Sequence, residues 1–262
     1  MTVTPAPKGF IKSAEAIGEL RAAGVMLGKT LQIVSQATIP GVTGNELDDL
    51  ARTTIESLGG EPAFLGFEDF PSTICLSVND ALVHGLPHGQ VIQAGDVVGI
   101  DIGVRLNGWN TDAAVTIQVA PTSSEAEQLI QATTDSLLAG IRMVKPGVQL
   151  GDVQAAMQQI IEDRHYGLVR SLTGHGIGRS VHESPSIPNY GKPNTGVRLE
   201  AGMVFCLEPM LTIGSGEVRT ADDDWTIVTK EGGLGAHKEH TVLVTATGYE
   251  VLSAQPGETF EA

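Results

Sequence analysis

The chain has 262 residues, which is long enough for one large hydrophobic core or for two domains. Hydrophobic residues form 41% of the chain and charged residues 18%, a balance that excludes an intrinsically disordered protein. The net charge of -15 argues against nucleic acid as the main ligand, because binding to a phosphate backbone needs clustered Lys and Arg side chains.

The sequence carries no signal for a membrane or for export. No stretch approaches the roughly 18 uninterrupted apolar residues of a membrane span, and the N-terminal segment MTVTPAPKGF has no apolar signal core. The two cysteines, Cys75 and Cys206, cannot form a disulfide framework. We therefore expect a cytoplasmic protein with reduced thiols.

Two helices are predicted in the first 60 residues. Apolar residues recur at helical spacing over residues 13–35, and a capping-box pattern at residues 43–46 opens a second helix that ends near residue 58. Within the first helix, AGVMLGKT differs by one residue from a phosphate-binding Walker loop. Its first glycine is missing and no strand precedes it, so we interpret residues 23–30 as helix surface.

A predicted β-hairpin brings two aspartates together. Residues 97–104 alternate, with apolar side chains on one face and Asp101 on the other. Asn107-Gly108 is a hairpin turn signal, and a two-residue loop would place Asp112 opposite residue 103. Asp101 and Asp112 would then share a face, where they repel each other unless a cation binds. Either acid alone could equally pair with an arginine or cap a turn.

The second half of the chain repeats the first. Helices are predicted from residue 123 or 124 to about 144 and over residues 152–163. The motif Pro-Gly-Val recurs 106 residues after residue 40, and AGDVVGID of residues 94–101 matches AGMVFCLE 107 residues later. We predict an α+β fold with two pseudo-symmetric halves, about 13–120 and 121–252, each a helix-turn-helix unit followed by antiparallel strands. Glu208 is then the equivalent of Asp101.

Two further ligand candidates are weaker when taken alone. His175 lies in TGHGIG, where the flanking glycines allow a close approach and a sharp turn of the backbone; a flexible loop with a surface histidine would have the same pattern. Glu239 opens a predicted strand in KEHT and is otherwise an ordinary charged strand edge.

Taken together, these motifs resemble those of type I methionine aminopeptidases in their compact bacterial form. The shared features are Asp-x10-Asp, GHGIG, EPM, KEHT, SVNDALVHGLP and GRSVHE, and the resemblance runs from residue 13 to about 252. It implies the pita-bread (creatinase/aminopeptidase) fold, with residues 1–262 as a single catalytic domain whose two halves surround a central site. It also implies a dinuclear metal site made of Asp101, Asp112, His175, Glu208 and Glu239.

By the same resemblance, Asp112 and Glu239 would bridge two divalent ions, with Asp101 on one and His175 and Glu208 on the other. These ligands suit Co, Mn, Fe or Zn without selecting among them, and a monovalent cation is left open as a further ion. The implied reaction is removal of the initiator methionine from nascent polypeptides whose second residue is small. In this reaction a metal-activated hydroxide attacks the scissile carbonyl.

The resemblance also assigns catalytic and pocket residues. His84 and His182 would contact the substrate amide and stabilise the tetrahedral intermediate, and Glu208 would transfer protons. The methionine pocket would be formed by the two histidines and four further residues, Phe64, Phe67, Cys75 and Trp225. Phe64, Phe67 and Val181 depart from the family pattern, and plain core packing is the alternative for the two phenylalanines. The remaining histidines, at positions 88, 165, 237 and 240, are interpreted as surface or core residues.

The expected partners are the N-terminal methionine of nascent chains and the ribosome, with no membrane and with the protein as a monomer. Three other functions stay open. A proline-specific peptidase of this fold usually has an additional N-terminal domain, whereas only about a dozen residues precede the first helix here. A non-catalytic binding module would have lost metal ligands. A two-metal phosphoesterase would need basic side chains near the acids, and only Arg105 and Arg179 are evident.

Overall fold

A computed structural model describes residues 6–260. Four α-helices lie within this range: α1 (Ala14–Ala37), α2 (Gly44–Ser57), α3 (Ser124–Met143) and α4 (Leu150–Asp163). None of these helices is long and apolar enough to cross a membrane. The strands are β1 (Glu61–Pro62), β2 (Ile74–Val78), β3 (Ala81–Val83), β4 (Val97–Leu106), β5 (Trp109–Gln118), β6 (Gly167–Leu168), β7 (Thr173–Gly176), β8 (Glu183–Pro188), β9 (Val204–Leu207), β10 (Met210–Thr212), β11 (Val218–Thr220), β12 (Ile227–Thr229), β13 (Gly235–His237), β14 (Glu239–Val244) and β15 (Tyr249–Val251).

The helix termini follow from local capping. Thr43 and Glu46 form the predicted capping box of α2, with the Glu46 carboxylate accepting from Thr43 N at 2.8 Å. In α4, Asp152 accepts from Gln149 N at 3.1 Å. This bond lets α4 begin at Leu150, two residues earlier than the apolar periodicity predicts.

The nine-stranded antiparallel sheet contains the predicted hairpin. Its strand order is β1-β4-β5-β14-β9-β7-β8, with β2 also paired to β4 and β15 to β14. In the β4–β5 hairpin, Gly103 lies opposite Asp112 and Asp101 opposite Ala114, which confirms the predicted register. The apolar face of β4 is fully buried against α1 and α2. The sheet therefore presents Asp101 and Asp112 on the face that points away from these helices.

The internal repeat is visible in backbone hydrogen bonds. Gly41 N donates to Ile92 O at 2.8 Å, and Gly147 N donates to Leu199 O at the same distance. Both glycines have positive φ angles, 90° and 91°, which a side chain would make costly. This agreement confirms the pseudo-twofold repeat of helix pair and strands, whereas the limits 13–120 and 121–252 stay a prediction.

The interpretation of residues 23–30 as helix surface holds for the exposed Val25 and Lys29 but was wrong for Gly24 and Gly28. Both glycines are buried in α1, and a Cβ atom on either would lie less than 3.0 Å from a backbone oxygen, Leu252 O and Ala254 O respectively. The missing side chains let the chain after β15 pack directly on the helix. Packing therefore explains these two glycines, and phosphate binding is not needed to account for them.

Candidate active site

A cavity of about 520 Å³ opens on the sheet face opposite the helices. All of the predicted site residues line it, together with several residues that the sequence did not indicate. The predicted set comprises Phe64, Phe67, Cys75, His84, Asp101, Asp112, His175, His182, Glu208, Trp225 and Glu239. Lys and Arg are absent from the lining among the described residues.

Five adjacent strands deliver the five predicted metal ligands. In sheet order, β4, β5, β14, β9 and β7 contribute one residue each, in or immediately after the strand: Asp101, Asp112, Glu239, Glu208 and His175. The strands that meet here are far apart in sequence, as the bond from Thr241 Oγ1 to Asp112 O at 2.8 Å illustrates. The sheet therefore assembles the cluster by long-range pairing of strands.

The five side chains form two groups that share members. His175 Nε2 lies 3.3 Å from Glu208 Oε1, 3.8 Å from Glu239 Oε1 and 4.0 Å from Asp112 Oδ2. One carboxylate oxygen from each of Asp101, Asp112 and Glu239 lies within 4.8 Å of the others. Asp112 and Glu239 are thus placed between the two groups. Both groups are therefore candidate metal-binding groups.

The cluster is electrostatically unfavourable without cations. Burial raises the pKa of Asp101 to about 7. Burial and, after it, repulsion from neighbouring acids raise the pKa values of Asp112, Glu208 and Glu239 well above their usual range. Among the described residues, one oxygen of each acid is buried without a hydrogen-bond partner. Divalent cations would satisfy these oxygens and offset the repulsion, so the donor set fits a metal site.

The protonation state of His175 suits a neutral metal ligand. Its Nδ1 lies 3.1 Å from Gly176 O, and because a carbonyl oxygen only accepts, Nδ1 carries the proton. The Nε2 lone pair then faces the acids. Burial lowers the pKa of His175 to about 3, which keeps the ring uncharged near neutral pH.

His175 does not lie in a turn, as the glycine pattern had suggested, but in strand β7 between β8 and β9. Neither Gly174 nor Gly176 has a positive φ angle. Their role is close approach, because a Cβ atom on Gly174 would lie 2.5 Å from Cys206 O. The glycines thus allow three strands to pack tightly around the histidine.

The two predicted catalytic histidines lie on different elements. His84 follows β3 with φ 56°, a left-handed conformation that is uncommon outside glycine, and burial lowers the pKa of its ring. His182 is exposed at the cavity. Its ring meets those of His175 at 4.5 Å and Phe67 at 5.3 Å, both edge-on. His182 therefore connects the acid cluster with the aromatic part of the cavity.

An apolar pocket adjoins the acids. Phe64, Phe67, Cys75 and Trp225 form one hydrophobic cluster with Phe70 and Val181. Cys75 lies opposite Asp101 in the β2–β4 pairing, so this cluster borders the predicted metal ligands directly. Burial raises the pKa of the Cys75 thiol well above its usual range, which makes the side chain an apolar wall.

Two of the lining residues that the sequence did not indicate contact predicted site residues directly. Phe70 packs edge-on against Trp225 with ring centroids 5.1 Å apart, but no periodic pattern surrounds it. His237, interpreted as a surface or core residue, is buried, and its Nε2 lies 3.8 Å from both Glu208 Oε2 and Glu239 Oε2. Strand alternation was an available signal, because positions 237 and 239 point to the same face.

The loop that carries His182 is tied to the N-terminal segment. Lys12 Nζ donates to Glu183 Oε2 at 2.7 Å and to Gly9 O at 2.8 Å, and the Lys12 side chain is only 4% exposed. The other Glu183 oxygen accepts from Arg179 N at 2.6 Å and Ser180 N at 3.1 Å. This buried ion pair holds the turn that precedes His182.

We predict that Lys12→Met lowers the free energy of unfolding by about 2 kcal/mol at pH 7, because a charge-assisted bond is lost inside the protein. Burial alone would raise the pKa of Glu183, but its bonds with Lys12 and the two amides hold that pKa below its usual value. The stabilisation is therefore present above the unfolded pKa and lost as the pH falls through the folded pKa. Urea unfolding at pH 7 and pH 4 would measure this.

The control for Lys12→Met is Lys230→Met, which removes an ion pair with Glu217 in which both side chains are more than half exposed. This variant should change stability by less than about 0.5 kcal/mol. A Lys12→Met effect that is as small, or that stays equal at both pH values, would contradict the assignment of a buried pair.

Comparison with known proteins places the chain in a class of hydrolases. The family model of Metallopeptidase family M24 matches residues 18–246, so the chain belongs to this family of metallopeptidases. Within the family, it is similar to methionine aminopeptidases. That of Clostridium perfringens is 43% identical over 244 residues, which are 93% of this chain and 98% of the relative.

Solved structures confirm the predicted α+β pita-bread fold. A methionine aminopeptidase from Thermotoga maritima matches with a TM-score of 0.92 at 39% identity and covers 94% of this chain and 99% of that one. A prolidase from Pyrococcus furiosus matches with a TM-score of 0.77 at 24% identity and covers 94% of this chain and 66% of that one. The second likeness extends to the fold alone.

Proposed function

We propose that the protein removes the N-terminal methionine from nascent polypeptides whose second residue is small, using two divalent metal ions. The ions would be held by Asp101, Asp112, His175, Glu208 and Glu239. The observation that carries this proposal is the assembly of these side chains from five adjacent strands beside an apolar pocket. It is supported by relatives that are named methionine aminopeptidases and that match nearly the whole chain.

Bound divalent ions would supply a water of lowered pKa and a polarised carbonyl group. The rest of the chemistry falls to protein groups. The neutral rings of His84 and His182 can each donate a hydrogen bond to the substrate amide as its carbonyl oxygen gains negative charge. Glu208, at the edge of the acid cluster beside His237, is placed to accept a proton and return it to the leaving amine.

The pocket accounts for the choice of side chain. A space beside Cys75 is surrounded by Phe64, Phe67, Phe70 and Trp225. The cavity has no Lys or Arg in its lining among the described residues. A methionine thioether gains favourable contacts with aromatic rings. The absence of lysine and arginine from this lining disfavours a phosphoesterase, which would need basic side chains to bind the phosphate group of its substrate.

Other parts of the proposal concern the surroundings of the reaction. The ribosome as partner, the monomeric state, the cytoplasmic location and a further monovalent cation are expectations from the family resemblance. The ligand types do not identify the two ions, since Co, Mn, Fe and Zn all accept carboxylate and imidazole ligands.

We expect free methionine to be released from Met-Ala-Ser only when a divalent metal is present. The purified protein would be treated with chelator, reloaded separately with Co, Mn, Fe or Zn, and incubated with Met-Ala-Ser or with Xaa-Pro peptides. Metal binding to the folded state should also stabilise it, by about 2.7 kcal/mol at a metal concentration of 100 times Kd. Thermal unfolding with and without metal measures this stabilisation.

Two results would decide against the proposal. Absence of metal-dependent methionine release would remove the aminopeptidase function, and cleavage of Xaa-Pro peptides in its place would identify a proline-specific peptidase. Equal thermal unfolding with and without every metal would instead contradict the metal site itself.

A further inference from the structure

The chain after β15 forms a layer between α1 and the metal-site strand β14. Residues 252–258, called here the C-terminal segment, begin with Leu252, whose N donates to Thr241 O at 2.9 Å. The segment packs closely on the buried Gly24 and Gly28 of α1. Gln32 Nε2 of the same helix donates to Pro256 O at 3.1 Å. The segment is therefore held from the helix side and has a fixed position relative to β14.

A single carboxylate of this segment contacts both sequence neighbours of Glu239. Glu258 Oε1 lies 2.9 Å from Lys238 Nζ and 3.3 Å from His240 Nε2. Its other oxygen accepts from Gln255 N at 3.1 Å, which fixes the carboxylate within the segment. The Glu258 side chain is 19% exposed and the His240 side chain 1%, so the contacts are largely shielded from water.

The hydrogen bonds around His240 form a complete network. Because an ionised carboxylate only accepts, His240 Nε2 carries a proton and donates to Glu258. In the neutral ring Nδ1 then accepts, and its partner at 3.0 Å is the hydroxyl of Ser253. The Ser253 oxygen also accepts from Thr241 N at 3.0 Å. Every group thus has a partner and the ring has one orientation.

Strand geometry links this network to the metal site. Lys238, immediately before β14, and His240 both contact Glu258 of the C-terminal segment, whereas Glu239 between them lines the cavity with the other acids. Glu239 Oε1 is buried and has no hydrogen-bond partner among residues 6–260. Its carboxylate has a side-chain hydrogen bond with Cys206. Beyond that contact, the direction of the carboxylate depends on how its backbone is held.

We propose that Glu258 is a positioning residue for the metal site: by holding Lys238 and His240 it fixes the backbone on both sides of Glu239 and aims that carboxylate at the bound ions. This inference rests on Glu239 being a metal ligand, as in the proposed function. Groups that orient a ligand in this way typically contribute about 10–100-fold to metal affinity. The C-terminal segment is thereby part of the working site although it lies outside the cavity lining.

The test is the affinity of the chelator-treated full chain for Mn²⁺, measured by calorimetric titration. Glu258→Ala should weaken binding by about 10–100-fold. Glu258→Gln should weaken it less, because the amide oxygen still accepts from His240 but no longer carries a charge for Lys238. The matched control is Glu250→Gln. It removes the ion pair between Glu250 of β15 and Arg21 of α1, and Glu250 lies opposite Leu243 rather than residues 238 or 240. It should stay within twofold of the wild type.

Binding of Mn²⁺ by Glu258→Ala within twofold of the wild type would overturn the inference. If Glu258→Ala does not fold, Glu258→Gln and Lys238→Met decide it by the same criterion, since each removes half of the charged contact. A purely stabilising role would lower the melting temperature of the metal-free variants and leave their Mn²⁺ affinity unchanged, which also overturns it. Methionine release is a separate readout: weakened Mn²⁺ binding with no release by the wild type would support Glu258 and contradict the proposed function.

Discussion

Asp112→Asn should reduce kcat/KM for Met-Ala-Ser by about a thousandfold or more, because the two groups of ligands meet at this carboxylate. Asn keeps the size of the side chain but removes its charge and one acceptor oxygen. If the ions that Asp112 would help to hold stabilise the transition state by about 4 kcal/mol, losing that contribution corresponds to about three orders of magnitude in rate. Initial rates at saturating Mn²⁺ would measure the loss.

The stability of the same variant separates a lost ligand from a damaged fold. Burial and repulsion from Glu239 and Asp101 raise the pKa of Asp112, so the metal-free protein gains nothing from this charge. Metal-free Asp112→Asn should accordingly unfold at or above the wild-type temperature, while the stabilisation by Mn²⁺ should be smaller. Asp80→Asn, at an exposed aspartate outside the cavity lining, is the control and should match the wild type in both assays. Near-normal turnover by Asp112→Asn would contradict the role of the hairpin.

The hairpin could be predicted because its determinants are local. A two-residue Asn-Gly loop fixes the register of its flanking strands, and alternation then assigns each side chain to a face. These two rules placed Asp101 and Asp112 on one face, and the structure has that register. The helix pairs could be predicted for the same reason, since capping and apolar periodicity act within a few residues.

The rest of the candidate site depends on pairing between distant strands. Glu239 joins Asp112 because β14 lies beside β5, and His175 joins Glu208 because β7 lies beside β9. Nothing in the local pattern of KEHT or TGHGIG specifies those neighbours, so the prediction of both residues rests mainly on the resemblance to a family. The same reason explains the mistake at Gly24 and Gly28, whose contacts are with residues more than 200 positions away.

His237 and Glu258 illustrate a second limit. Each has a role that depends on which groups surround an otherwise ordinary polar residue: two acids for His237, and Lys238 with His240 for Glu258. Composition does not distinguish such residues, and spacing was informative only for His237, two positions before Glu239. Their placement becomes evident only when the strands and the C-terminal segment are assembled.

Gly174→Ala should lower the free energy of unfolding by about 3 kcal/mol and the melting temperature by roughly 6–12 °C. Its φ angle suits alanine, so the penalty comes from space: the new Cβ atom would lie 2.5 Å from Cys206 O and 3.2 Å from Ile187 O. Both oxygens belong to backbone in neighbouring strands and cannot rotate away. Thermal unfolding of the metal-free protein measures the effect.

The displacement in Gly174→Ala should also reach the metal site, because β7 would have to shift and His175 follows Gly174 directly. We therefore expect weaker stabilisation by Mn²⁺ in this variant as well as a lower melting temperature. Gly18→Ala is the control with the opposite sign. Gly18 is exposed in α1 with open space around its Cα, so alanine should stabilise the helix by about 0.5–1 kcal/mol and leave Mn²⁺ binding unchanged. Equal effects of the two substitutions on unfolding and on Mn²⁺ binding would contradict the claim that the close packing of three strands around His175 requires glycine at position 174.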